Sequence, residues 1–393
     1  MDMYRIFNEG QINVLKDIKR ACKEKKIKAY IIGGAVRDSI LNVKSKDIDV
    51  CVEGDPLIII KELKSLKDYV YYEKFQTSTI YFNNGVSVDL IRCRKETYLK
   101  DGMLPIVEPS SIKDDIYRRD FTVNALAYDI VDERIIDFYG GIDDINNKVI
   151  KSIHKNSYSE DCTRIFRAIK YSIRYGFEIE DDFVFNSLIG NNIFNTISFE
   201  RYIKELYLIC GEDKWIQMLK KCCMYGIIDL DCDMLGDSIQ FSEQNINFLN
   251  MVYCSRDKIL NRALVENSFL KKELLNPIRK FIVGRKELEH KLLNSKRNYD
   301  IYKVFNGMTK YELVLFSWNK ELKYKVYNYT KNILNFKTVI SGKEIKNLIE
   351  RDGKIVGLIK EGILKRNVNM LMNFDYSTKN MGEILYDIEH KYR

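Results

Sequence analysis

The stretch Ala29–Val52, AYIIGGAVRDSILNVKSKDIDVCV, decides how the rest of the chain is read. Its apolar start, Tyr30-Ile31-Ile32, is broken by Gly33-Gly34 and followed by Ala35-Val36-Arg37-Asp38-Ser39-Ile40-Leu41, which predicts a strand, a tight turn and the start of a helix. Such a turn suits phosphate. Glycine lets the backbone approach closely, the first helical N–H groups have no partner inside the helix, and Arg37 adds a cation beside them. Further on, Asp47-Ile48-Asp49 runs into apolar Val50-Cys51-Val52, so the two-residue period of a strand turns both carboxylates to one face. Adjacent carboxylates repel each other and are tolerated where a divalent cation sits between them. Mg²⁺ held by one or two carboxylates plus substrate phosphates is the usual arrangement where nucleotides are handled. A Gly-Gly turn alone is usually only a turn, and a lone Asp-x-Asp usually a solvated strand end; the joint pattern is much rarer by chance.

Strand, Gly-Gly, helix and then Asp-x-Asp on a second strand resembles the signature of the polymerase-β-like nucleotidyltransferases. The run Gly33-Gly34-Ala35-Val36-Arg37-Asp38 resembles its wording in the class II tRNA nucleotidyltransferases and bacterial poly(A) polymerases.

The chain of 393 residues, 46% hydrophobic, is long enough for two to four domains with more than one core. No apolar run approaches the roughly 20 residues of a spanning helix, and Met1-Asp2-Met3-Tyr4-Arg5 lacks the build of a signal peptide, so a cytoplasmic protein is expected. The nine cysteines show no ligand spacing and are expected to be small reduced hydrophobes. With only His154, His290 and His390 present, chemistry built on a histidine cluster is disfavoured. Lys+Arg against Asp+Glu number 23 and 23 in residues 1–140, 12 and 17 in 141–253, and 29 and 16 in 254–393, giving net charges of 0, −5 and +13. A basic last third suits a polyanion such as RNA, or is simply a Lys-rich solvated surface.

Residues 10–25 and Asp55–Leu66 are predicted helices, the second entered through Asp55-Pro56. Tyr69–Tyr72, Thr77–Phe82 and Val86–Ile91 are predicted strands, the last two joined at Asn83-Asn84-Gly85. Asp89 alternates with apolar residues on the last of these. It is either a surface acid or, as the resemblance implies, a third active-site carboxylate. The run Arg94-Lys95-Glu96-Thr97-Tyr98 and then a polar, Gly- and Pro-containing loop reaching Glu108-Pro109-Ser110-Ser111 lead to Arg118-Arg119-Asp120-Phe121-Thr122-Val123-Asn124-Ala125. That run fits a solvated helix start, yet it is also close to a family motif that binds the ribose and phosphates of the incoming nucleotide. The resemblance places these roles on Arg119 and Asp120, with Asn124 in support. Arginine is apt, because its planar fork pairs bidentately with phosphate oxygens. Gly140-Gly141 ends a strand and resembles the family's hinge between head and neck, though a plain strand-to-helix turn uses glycines equally well.

Ser159–Ile169 is a predicted helix with Ser159 as its cap and Asp161 and Arg164 one turn apart on one face. Such a pair is commonly an ordinary surface ion pair, but Glu160-Asp161-Cys162-Thr163-Arg164 resembles the family's base-recognition motif. A carboxylate accepts from an exocyclic amine while arginine donates to a ring nitrogen, which matches cytosine and adenine. Uracil and guanine would leave a donor facing Arg164 and an acceptor facing Asp161. Ile197–Leu206 resembles the family's last motif and is expected to brace the base-reading helix. Beyond about Cys210 no motif is found; the rest is expected to be helical, with loops around Asn245 and near Asn276-Pro277 and a final unit from about Ile340.

The resemblance implies an α/β catalytic head carrying a polymerase-β-like nucleotidyltransferase sheet, followed by an all-α neck, body and tail. The expected boundaries are a head over 1–139, a neck with the nucleobase-recognition helix over 140–210, a body over 211–290 and a basic tRNA-binding tail over 291–393. It further implies addition of C, C and A to the 3′ end of tRNA from CTP and ATP, with release of pyrophosphate. Asp47, Asp49 and Asp89 are then catalytic, with Mg²⁺ on Asp47 and Asp49. Gly33, Gly34, Arg37, Arg119, Asp120, Asn124, Asp161 and Arg164 bind the nucleotide. The expected partners are tRNA, CTP and ATP, with no membrane and no obligate protein partner. Addition of A alone or of C and C alone, poly(A) synthesis, and RNA binding without catalysis are the alternatives. The full-length stretch from Arg94 to Arg119 disfavours addition of C and C alone, and the intact Asp47, Asp49, Arg119 and Arg164 disfavour a non-catalytic protein.

Overall fold

Ala29–Ile32 is a run of four buried residues, so both faces of this strand, β1, are covered and it lies inside a sheet. The computed structural model describes residues 3–44, 48–73, 76–236, 243–256, 258–266, 269–334, 341–349 and 353–371. It divides into two compact units, Met1–Ser198 with Met224–Gly226, and Phe199–Cys223 with Ile227–Arg393.

In the first unit, α1 (Glu9–Lys25) opens with a capping box in which the Asn8 and Gln11 side chains each accept from the other's backbone N–H. After β1 come α2 (Gly34–Ile40), β2 (Asp49–Val52), α3 (Pro56–Ile60), β3 (Leu66–Tyr72), β4 (Thr77–Phe82) and β5 (Ser87–Arg92). The hairpin of β6 (Arg94–Thr97) and β7 (Ile106–Pro109) leads to α4 (Ile112–Tyr117), β8 (Leu126–Asp129) and β9 (Arg134–Asp137). Then follow α5 (Gly141–Asn146), α6 (Ser157–Glu160), α7 (Thr163–Tyr175) and α8 (Phe183–Gly190). The main sheet has the order β3-β4-β5-β2-β1-β8-β9. Its neighbours run antiparallel except β2 and β5, which are parallel. One face is closed by α4, whose Ile112 and Ile116 pack on Tyr30, Ile32, Cys51, Cys93, Ala125 and Ala127. That packing brings the Arg118-Arg119 pair, at the end of α4, to the sheet face that carries β1 and β2.

Several expectations change here. The helix entered at Asp55-Pro56 is capped as expected, Asp55 accepting from Leu57 N–H at 2.9 Å, but it ends at Ile60, and Leu66 belongs to β3. Leu66 pairs with Phe82 of β4, so tertiary pairing overrides the local apolar run. The polar stretch after Arg94 is a hairpin at its two ends, in register from Arg94↔Pro109 to Thr97↔Ile106. The run after Arg119 is a short 3₁₀ turn, Thr122–Asn124, and then β8, not a helix start. At Gly140-Gly141, Gly140 has φ 75° and a Cβ on Gly141 would lie 2.2 Å from the Thr122 carbonyl oxygen, so close backbone approach requires the second glycine.

The second unit is helical, and Phe199–Cys210, predicted from the last motif, is its first helix. Where loops were expected, Asn245 lies in the first turn of the helix Gln244–Cys254, with residues 237–242 before it outside the described residues, and Pro277 lies inside the helix Lys272–Asn294. Pro277 is buried, so apolar packing offsets the one helical hydrogen bond its ring removes. The helix Gly342–Ile349 lies where the final unit was expected to begin, and Ile340 lies outside the described residues. Among the described residues no helix is long and apolar enough to cross a membrane.

Candidate active site

The chain leaves β1 at Gly33, whose φ of 65° and ψ of −122° are open to glycine and strained for other residues. A Cβ here would lie 2.8 Å from Nη1 of Arg119, so the absent side chain lets that guanidinium rest against the turn. Asp49 opens β2 and stands in register with Asp89 of parallel β5. Register neighbours share a face, so the two carboxylates are side by side. Across to β4, Asp89 Oδ1 accepts from Thr79 Oγ1 at 2.7 Å, which fixes its orientation. Asp47 lies outside the described residues. Among the described residues, no three His, Cys, Asp or Glu side chains gather to hold a metal ion. The adjacent pair Asp49 and Asp89 nevertheless supplies the hard oxygen donors that Mg²⁺ takes, so the residues present fit that ion.

Arg119 donates from Nη2 to Oδ2 of the buried Asp115 at 3.0 Å, and Arg118 donates from Nε to Oδ1 of the same carboxylate at 2.9 Å. Burial pushes the Asp115 carboxyl up, but the two guanidiniums outweigh it and hold the group below the usual carboxylate range.

Asp120, Asn124 and Arg37 form a second buried network. Asp120 Oδ1 accepts from Phe121 N–H at 2.9 Å and Asn124 Nδ2 at 3.0 Å, and its Oδ2 accepts from Arg167 Nε at 2.6 Å. Asn124 Oδ1 in turn accepts from Arg37 Nη1. Arg37 is 5% exposed, donates to Asp38 at 2.8 Å and stacks 4.5 Å above the Tyr175 ring of α7. The expected phosphate cation is thus held between α2 and α7 by partners of its own. Burial raises the Asp120 carboxyl, yet Arg167, Asn124 and the Phe121 N–H bring it below its ordinary value.

Those two lowered carboxyls carry a sign. Their ion pairs contribute stability above the unfolded-state value near 3.9, and that contribution is lost as pH falls through the lower folded-state values. The parent should therefore keep its melting temperature from neutral pH to about 5 and lose it below. Arg167→Ala leaves Asp120 buried without its cation. Breaking a buried pair costs about 3–5 kcal/mol. Because the Arg167 side chain is 43% exposed, about 1–3 kcal/mol is expected here at neutral pH, and the gap to the parent narrows as pH falls through the acid range, where protonation relieves the carboxylate left without its cation. Thermal melts of both proteins from about pH 2 to 8 check this, and coincident profiles would count against the pairing.

Sequence and structure part at the base-reading motif. Asp161 is not in the first turn of a helix that begins at Ser159. It sits in an extended conformation, φ −142° and ψ 98°, between α6 and α7, and accepts from Thr163 N–H at 3.0 Å and Thr163 Oγ1 at 2.7 Å. Arg164, 5% exposed, donates to the Ser157 carbonyl at 3.1 Å, to Ser157 Oγ at 2.7 Å and to the Arg118 carbonyl at 2.8 Å. Glu160, one turn earlier, stands 4.0 Å from it. The structure therefore brings Arg164 to the chain segment that carries Arg119, a link no local spacing announces.

Asp115, Thr79 and Arg167 were missed in the sequence. Asp115 stands three and four residues before Arg118 and Arg119, and Arg167 one turn after Arg164, spacings that mark helical neighbours and were open to reading. Thr79 depends on strand register and had no such signal.

Residues 29–151 match the family model of the poly A polymerase head domain. An A-adding tRNA nucleotidyltransferase of Geobacter sulfurreducens is 34% identical over 236 residues, 58% of this chain and 26% of that protein. The chain thus spans about a quarter of that relative's length. A CCA-adding enzyme of Ligilactobacillus salivarius is 24% identical over 391 residues, 92% of this chain and 94% of that protein. A solved structure of a CCA-adding enzyme in an apo form superposes with a TM-score of 0.78 at 24% identity, covering 98% of this chain and 96% of the other, which shows the shared fold: a mixed-sheet head followed by a largely helical remainder.

Proposed function

Because the chain belongs to the class II family of tRNA nucleotidyltransferases that carry the poly(A) polymerase head domain, we propose that it adds C, C and A to the 3′ end of tRNA from CTP and ATP, releasing pyrophosphate without a nucleic-acid template. The observation that carries this proposal is the meeting, in one compact unit, of a glycine turn with Arg119 against it, the register pair Asp49 and Asp89, and α7 with Arg164.

In this proposal Gly33, Gly34 and Arg119 cradle the triphosphate, Arg37 supports the turn from its buried place between Asp38, Asn124 and Tyr175, and Asp120 and Asn124 hold the segment that presents it. Asp47 and Asp49 would hold Mg²⁺, with Asp89 beside Asp49. When bound, the ion supplies Lewis-acid stabilisation of charge on the reacting oxygens. The chain's own contribution is mostly positioning, since phosphoryl transfer asks for alignment and charge neutralisation more than for covalent chemistry. Asp161 and Arg164 read the Watson–Crick edge of the incoming base. Arg164 rests on the Ser157 and Arg118 carbonyls, so reading a base exchanges those acceptors for the ring nitrogen of cytosine or adenine. A wrong base satisfies neither partner, at about 1–3 kcal/mol for each unpaired group. The basic tail over 291–393 is proposed to bind tRNA by neutralising its phosphates.

A second activity, addition of the terminal A alone, is favoured by the A-adding name of the 34% identical relative. Transfer RNA ending at the discriminator base, incubated with CTP alone, separates the two. The proposal expects two C residues to be added; an unextended tRNA that later accepts A once CC is supplied would establish the A-adding activity instead.

A further inference from the structure

Asp115 is fully buried on α4, and its carboxylate meets donors from three residues: Arg119 Nη2 at 3.0 Å, Arg118 Nε at 2.9 Å and the Arg94 backbone N–H at 3.3 Å. Among the described residues, the guanidinium of Arg119 is held by hydrogen bonds on one edge. Its Nη1 lies against the Gly33 turn, and its buried Nε has no hydrogen-bond partner among those residues. A buried donor without a partner is uncommon in a finished core and fits a group held for a ligand. Arg118 is held by the same carboxylate and, through Nη1, by Glu96 at 3.1 Å, while its carbonyl accepts from Arg164 Nη2 at 2.8 Å. One carboxylate therefore stands behind both the cation at the glycine turn and the carbonyl on which Arg164 rests.

We propose that Asp115 is a positioning residue for nucleotide binding, holding Arg119 against the Gly33-Gly34 turn and, through Arg118, setting the place of Arg164. This inference rests on the nucleotide site proposed above. Asp115 touches no substrate in this scheme; it acts through the two arginines. Charge is what it contributes, because an amide in its place would keep the size and one acceptor oxygen but would no longer hold two guanidiniums.

The test is an equilibrium titration of the full-length chain with CTP and with ATP in Mg²⁺, as a double-mutant cycle of Asp115→Asn and Arg119→Gln. Asp115→Asn alone is expected to weaken nucleotide binding about tenfold or more. In the Arg119→Gln background the same change is expected to alter it by less than about threefold, since the residue it acts through is gone. A merely structural role would lower the melting temperature and the active fraction without this non-additivity. Equal effects in both backgrounds, or unchanged affinity, would overturn the proposal. Should Asp115→Asn fail to fold, the charge-balanced pair Asp115→Asn with Arg118→Gln is compared with Arg118→Gln alone, with the same two outcomes. A parent that binds CTP but transfers nothing to tRNA defeats the proposed activity and leaves this test intact. Additive losses in a parent that does extend tRNA defeat only the positioning role, and a parent that binds neither nucleotide overturns both.

Discussion

Asp49→Ala is expected to slow nucleotide addition by about a thousand-fold or more, the equivalent of about 4 kcal/mol of transition-state stabilisation, while leaving the protein folded. Asp49 opens β2 with Asp89 in register beside it, so the substitution removes one of two like charges on a shared face. Relief of that repulsion offsets the loss of local contacts, and the melting temperature should stay within a few degrees of the parent. A residue needed only for folding would show the opposite pattern, with the melting temperature falling and the activity per folded molecule preserved. Single-turnover extension of a labelled tRNA, run beside a thermal melt, distinguishes the two, and parent-like addition by this variant would remove Asp49 from the active site. Asp47→Ala is expected to match it, on the Asp-x-Asp pattern alone.

The second large effect is on choice of nucleotide. Arg164→Ala should let UTP and GTP compete with CTP and ATP, eroding selectivity by about tenfold or more, because the donor that opposes their ring N–H is gone. The variant will also be less stable, since the buried Arg164 side chain holds the Ser157 and Arg118 carbonyls. Overall rate is therefore a poor readout, whereas the ratio of UTP to CTP incorporation at equal occupancy is insensitive to the folded fraction. An unchanged ratio would mean that Arg164 serves only to tie α7 to the segment after α4.

What was legible in the sequence follows from how local its causes are. Gly33 sits at a positive φ next to a four-residue buried strand, and both features show as a glycine pair after an apolar run. The Asn83-Asn84-Gly85 hairpin and the Asp55-Pro56 helix start were visible for the same reason, because turn and cap chemistry is carried by neighbouring residues. Asp89 was left between surface acid and active-site carboxylate, since only strand order places β5 beside β2 and so puts it in register with Asp49. The break at Asp161 was missed because Ser159 looked like a sufficient cap; the structure prefers a second start, with Asp161 accepting from Thr163. Pro277 misled in the other direction, since a buried helix face outweighs one lost hydrogen bond. In the charge-paired interior, Asp115 with Arg118 and Arg119 was written as spacing at one helix end, whereas Asp120 with Arg167 joins residues 47 apart and had no local signal; both acquire their meaning from which helix meets which strand.

The measurement that bears most directly on the central claim is extension of a tRNA ending in CC, given ATP as the sole nucleotide and Mg²⁺. The Asp49 and Asp89 pair, the Gly33 turn and Arg164 together call for addition of one A with release of one pyrophosphate, after which extension stops. A tRNA that stays unextended with folded, nucleotide-bound protein, or one that grows a run of A residues, would contradict it.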